Sequence, residues 1–146
     1  MTIADTTILA DKLMAKHGLL AWSFRFDNAK RRLGNCNYTK KTISLSKHMT
    51  LLLEKTEVED TLLHEIAHGL VGYGHGHDNA WRRMAVEIGC NGETLYCGEA
   101  RVKPKYKGTC PKCGKIITRH RRKRVSCSEC APVFKKELMF VWSLNI

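Results

Sequence analysis

The chain has 146 residues, 43% of them hydrophobic and 27% charged. This composition excludes wholesale disorder and suits one compact domain, or a domain of roughly 100 residues with a small appendage. No run of about 18 apolar residues occurs, which excludes a transmembrane helix. Charge is divided unevenly: residues 1–100 carry 12 Lys+Arg against 12 Asp+Glu, whereas residues 101–146 carry 13 against 2.

Residues 6–17 read as a helix, with Ile8, Leu9, Leu13 and Met14 at helical spacing and Gly18 as the stop. From Leu19 to Phe26, Trp22, Phe24 and Phe26 alternate with Ser23 and Arg25, the pattern of a half-buried strand. Asp27-Asn28-Ala29 reads as a turn, Arg31 to Tyr38 as a second strand and Thr42 to Ser46 as a third. Three short consecutive strands predict a small antiparallel meander. Residues 57–71 carry the strongest helical pattern: Val58, Leu62, Ile66 and Leu70 form one stripe, Thr56 is the expected cap, and Glu57, Glu59 and Asp60 suit the first turn. Gly72, Gly74 and Gly76 make a flexible loop. Asp78 or Asn79 then caps a helix to about residue 88, with Ala80, Trp81, Met84, Ala85 and Ile88 on its apolar face and Gly89 at its end.

His64-Glu65-Ile66-Ala67-His68 lies within the strongest helix. Positions i and i+4 share a face, so both imidazoles reach one ion. Zinc accepts imidazole nitrogen and, in catalytic sites, keeps a position open for water. It lowers the pKa of that water from about 16 toward about 7, and Glu65 lies where its carboxylate can take the proton. A third ligand is required. His75, His77, a downstream carboxylate and Cys90 are the candidates, and His77 is preferred because a residue at a helix start is better fixed than one in a glycine loop.

The residues Trp22-x-Phe24, Arg32-Leu33-Gly34-x-Cys36-x-Tyr38, Ile43-x-Leu45-Ser46, Asp60 to His68, and Gly76-His77-x-x-x-Trp81-x-x-x-Ala85 together resemble the SprT-like metalloprotease domain. The resemblance covers roughly residues 6–95 and continues into a zinc ribbon of the kind many members carry. It implies a zincin-like minimal metalloprotease, with His77 as third ligand because the family places an aromatic residue four positions after that histidine, here Trp81. The family includes the Spartan proteases, and the resemblance associates it with cleaving proteins crosslinked to DNA. Two features depart from the larger relatives: the domain is short, and a Spartan-type tail with partner-binding motifs does not occur in this sequence.

Seven cysteines are present. Cys110-Pro-Lys-Cys113 and Cys127-Ser-Glu-Cys130 are two knuckles separated by 13 residues, the spacing of a closed zinc site with four thiolate ligands. Their pairing, an odd total and an N-terminus (Met1 to Asp5) without the features of a secretory signal argue against a disulfide scaffold and for an intracellular protein that is not secreted. Ile116-Ile117-Thr118 and Val125 are expected to pair as a hairpin between the knuckles. A module this small depends on its metal for stability. Arg119, Arg121, Arg122, Lys123 and Arg124 cluster at the expected hairpin tip, and Lys103, Lys105 and Lys107 precede it. Their expected partner is nucleic acid, held mainly through phosphate, with Tyr106 either stacking on an unpaired base or packing on the ribbon. Cys36, Cys90 and Cys97 have no ligand pattern and read as buried free thiols. Phe134, Leu138, Phe140, Val141 and Trp142 are expected to dock the tail.

The sequence therefore predicts an α+β fold in which a small antiparallel sheet packs on the metal-binding helix. Residues 1–97 form the main domain, 98–109 a basic linker, and 110–146 the four-cysteine zinc ribbon with its apolar tail. The expected function is that of a zinc endopeptidase acting on DNA-bound or DNA-crosslinked proteins, with one catalytic and one structural zinc and DNA, single-stranded or non-specific, as partner. The alternative is a non-catalytic nucleic-acid-binding adaptor with two structural zinc sites. No membrane association is expected.

Overall fold

The computed structural model describes residues 1–146. The chain divides into two compact units, Met1–Val102 and Lys103–Ile146. The first contains α1 (Ile3–Lys16), β1 (Ser23–Asp27), β2 (Gly34–Asn37), β3 (Thr42–Ser46), the single turn α2 (Lys47–Thr50), α3 (Lys55–Val71) and α4 (Asn79–Glu87).

α3 is the centre of this unit and packs on α1, α4, β2 and β3. Its stripe Val58, Leu62 and Ile66 is fully buried, together with Ala10 of α1, Ile43 of β3 and Trp81 and Ala85 of α4. Each large aliphatic side chain so buried contributes about 1.5–3 kcal/mol. The helix begins at Lys55, not at residue 57, and its cap is Glu54 rather than Thr56. Glu57 causes this: its carboxylate reaches back to accept the Glu54 N–H at 2.9 Å. α1 also starts earlier than expected, because Thr2 accepts the Asp5 N–H at 3.0 Å. α4 is capped by Asp78, which accepts the Trp81 N–H at 3.0 Å.

The sheet is not the antiparallel meander that the sequence predicts. Its order is β1-β3-β2, with β1 parallel to β3 and β2 antiparallel to β3. β3 is buried at every position, so it takes the centre and needs a neighbour on each side. Residues 28–41 make the crossover that a parallel pair requires. Asp27 anchors the start of this segment: its carboxylate accepts from the Ala29 N–H at 2.9 Å, the Ser44 hydroxyl at 2.8 Å and Arg32 at 2.7 Å. The second strand is correspondingly shorter than Arg31 to Tyr38, and the first begins only at Ser23. After α4, residues 90–102 form no helix or strand.

The second unit contains β4 (Tyr106–Thr109), β5 (Ile116–Arg119), a 3-10 turn (Lys136–Leu138) and β6 (Val141–Leu144). Its antiparallel sheet has the order β5-β4-β6. Two expectations are corrected here. Residues 106–109 are the central strand of this unit rather than linker. Ile116-Ile117-Thr118 pairs with β4 and not with Val125, whose carbonyl instead accepts the Phe140 N–H at 3.1 Å. The tail supplies the third strand. Leu138 and Phe140 are buried and Trp142 half-buried, while Phe134 and Val141 are exposed. No helix of the chain is long and apolar enough to cross a membrane.

Candidate metal centres

His64 and His68 lie one turn apart on α3, and His77 enters from the loop ahead of α4. Gly72, Gly74 and Gly76 have φ of 87°, 94° and 55°, a conformation that L side chains rarely adopt, and they turn the chain back over the helix. The Nε2 atom of His77 lies 3.0 Å from that of His64 and 3.1 Å from that of His68. Two nitrogens bound to one tetrahedral zinc at about 2.1 Å stand about 3.4 Å apart, so the three imidazoles need adjust by only a few tenths of an ångström. Burial, followed by the neighbouring His77 ring, pushes the His64 imidazolium pKa down to about 4. Burial and both neighbouring rings do the same to His68, also to about 4. Both imidazoles are thus neutral at physiological pH and present lone pairs, as a metal requires.

Three surrounding features fix these rings. Trp81 is fully buried, and its ring centroid lies 4.6 Å from those of His64 and His77 and 5.3 Å from that of His68, on which it stacks. The Glu93 carbonyl hydrogen-bonds the His64 ring, an interaction that orients the other nitrogen toward a metal. Asp60, one turn before His64, holds the same segment by accepting the Asn91 N–H at 2.7 Å. Sequence reasoning did not reach Glu93, and it named Asp60 without this contact. A backbone carbonyl has no side-chain signature, and Asp60 reads simply as a first-turn acid.

Glu65 is buried on α3 beside the two helix histidines, with 7% of its surface exposed. Burial pushes its carboxyl up to about 8, against the pull of Arg32. Gly34 of β2 lies directly against it. Of the other candidates for third ligand, His75 pairs with Asp78 at 2.9 Å at the surface. Cys90 is buried, hydrogen-bonded to Asp60, and pushed up to about 11 by that burial. Neither joins the histidine cluster. Cys36 is half-buried and pushed up to about 12 by burial and by the Glu65 charge. Cys97 is exposed, contrary to the expected buried thiol, because residues 90–102 lie outside any helix or strand.

In the second unit, the Cys110 and Cys130 sulfurs are 3.8 Å apart and those of Cys113 and Cys127 3.7 Å apart. A tetrahedral zinc with bonds of about 2.3 Å separates its sulfurs by about 3.8 Å, so the tetrad fits such an ion closely. The N–H groups of Cys113 and Lys112 pull the Cys110 thiol down to about 6, toward the thiolate that binds metal. Both the histidine triad and the cysteine tetrad can therefore hold a metal ion.

The expected basic residues all lie in this second unit. Lys103 and Lys105 are exposed, and Lys107 is half-buried within β4. Arg119, Arg121, Arg122, Lys123 and Arg124 are exposed. Arg122 and Lys105 stand 5.0 and 5.4 Å from the Tyr106 ring. Arg122, Lys123 and Arg124 also line a cavity of about 450 Å³ whose other walls are Lys136, Met139 and Trp142.

Three imidazoles converge within metal-binding distance of one another in the first unit. The SprT-like family model matches residues 6–105, and the chain belongs to that zinc metalloprotease-type family. No curated protein matches the chain.

Proposed function

We propose that this protein is a zinc-dependent endopeptidase that cleaves proteins bound or crosslinked to DNA, and that its second unit delivers it there. The observation that carries the reading is the convergence of the Nε2 atoms of His64 and His68 on α3 with that of His77 from the loop before α4, with Glu65 buried on the same helix between the two α3 histidines in sequence. His64, His68 and His77 would hold zinc, which when bound polarises a peptide carbonyl and makes water more acidic. Glu65 takes the proton from the attacking water and returns it to the leaving amine. Glu93 and Trp81 keep the imidazoles in place throughout.

Substrate placement is supported by the sheet order. β2 is an edge strand, and its first residue, Gly34, touches Glu65. A peptide adding to that edge is read through its backbone with little side-chain preference. Such a protease would select its targets by location. The cations beside Tyr106, and those around Met139 and Trp142, supply phosphate contacts together with aromatic surfaces for unpaired bases. Cleavage of a DNA-binding protein, with and without single-stranded DNA, tests the reading when the parent is compared with Glu65→Gln at equal zinc content. Loss of cleavage in the variant supports it. DNA binding without cleavage by either protein would favour an adaptor with structural metals.

A further inference from the structure

We infer that Gly34 is a positioning residue for Glu65: the empty space at its α-carbon is the seat of the Glu65 carboxylate. A Cβ built on Gly34 would lie 2.7 Å from Glu65 Oε1 and 2.8 Å from Glu65 Cγ, both closer than real Cβ atoms come to such neighbours. The third neighbour, Leu45 Cδ2, would stand at 3.0 Å and is the far end of a flexible side chain. Backbone conformation does not account for the glycine. Gly34 is not among the glycines with positive φ, and it pairs in ordinary antiparallel register with Leu45. A glycine in a strand also weakens it, so local propensity argues for any other residue.

The direction of displacement follows from what surrounds the pair. Glu65 has its Cγ and one carboxylate oxygen against β2, and the central helix that carries it is fixed by the buried stripe Val58, Leu62 and Ile66. A methyl group at position 34 therefore rotates the Glu65 side chain out of its seat while leaving the helix, and with it His64 and His68, where they are. The carboxylate moves and the metal ligands do not. This inference rests on the reading of Glu65 as the proton-transfer group, and it assigns to the edge strand a role in setting that group's geometry.

The test uses the full chain loaded with zinc. Gly34→Ala is expected to bind zinc as the parent does and to keep its KM within about twofold. Its kcat should fall by about 10- to 100-fold, the cost of misplacing a catalytic group by about an ångström. A thermal cycle separates positioning from a structural role. Gly34→Ala should lower Tm in the parent chain, yet raise it in a Glu65→Ala chain, where the methyl group fills the vacated space. If Gly34→Ala alone does not fold, the double variant should fold. An unchanged kcat, or the same Tm change in both backgrounds, overturns the inference. If the parent cleaves nothing, the protease reading fails, and the thermal cycle alone decides whether Gly34 seats Glu65.

Discussion

The Trp81 indole N–H donates to the carbonyl of His64 across 3.3 Å, while the same indole ring lies 4.6 Å from the His64 imidazole. One side chain of α4 thus holds both the backbone and the ring of His64 on α3. This explains why α3 and α4 pack as they do: Trp81 is fully buried and stands against all three histidines.

Removing that side chain should damage stability and metal affinity together. Trp81→Ala is expected to cost about 3–5 kcal/mol, as for other large-to-small core changes. Trp81→Phe keeps part of the packing but loses the hydrogen bond, about 1 kcal/mol, and leaves a cavity where the larger indole stood. Urea unfolding measures the first quantity, and competition with a chelator measures zinc affinity. The phenylalanine variant should bind zinc more weakly than the parent while remaining folded.

Asp27 should make the fold sensitive to acid. Burial pushes its carboxyl up, but the Ala29 N–H, the Ser44 hydroxyl and Arg32 outweigh this and hold it below its ordinary range. A folded-state value below the unfolded one, about 3.9, gives stability that is present above about pH 4 and lost as pH falls through the folded value. Asp27→Asn should therefore destabilise the protein by about 1–3 kcal/mol at pH 7. The gap between variant and parent should narrow as pH falls through the folded-state value of Asp27. Unfolding midpoints across an acid titration of both proteins check this.

Much of this organisation is legible from residue spacing. His64, Glu65 and His68 announce themselves because one helical turn brings i and i+4 together, and the four ribbon cysteines because a closed zinc site imposes its own spacing. The strand order was not legible. Alternation within Ser23–Asp27 and Thr42–Ser46 marks strands but not their neighbours, and the burial of every β3 residue that makes it central is a tertiary fact. The pairing of the tail with β4 was missed for the same reason: Val141–Leu144 is too short to show a partner. Gly34 was visible as a motif residue, but its purpose depends on Glu65, which is distant in sequence.

The second unit should depend on its metal. Its buried apolar residues are few, with Phe140 and Leu138 the largest, so an ion held by the cysteine tetrad is expected to supply much of its stability. Cys127→Ser, or exhaustive chelation, should abolish the ordered signals of residues 103–146 in a two-dimensional amide NMR spectrum. Persistence of those signals without metal would contradict this.

Binding to single-stranded DNA should be strongly salt-dependent. Each phosphate that a cation neutralises adds about 0.7 to the slope of log affinity against log salt for single strands. Replacing Arg122, Lys123 and Arg124 together with alanine should reduce that slope by about 2 and weaken binding for every sequence alike. Fluorescence anisotropy across a salt series provides the measurement.

The central claim is that Glu65 performs proton transfer at a zinc held by His64, His68 and His77. Its most direct test is cleavage of a DNA-binding protein in the presence of single-stranded DNA by parent and Glu65→Gln proteins of equal zinc content. The account predicts cleavage by the parent and a loss of about 100-fold or more in the variant. Equal cleavage by both proteins would contradict it.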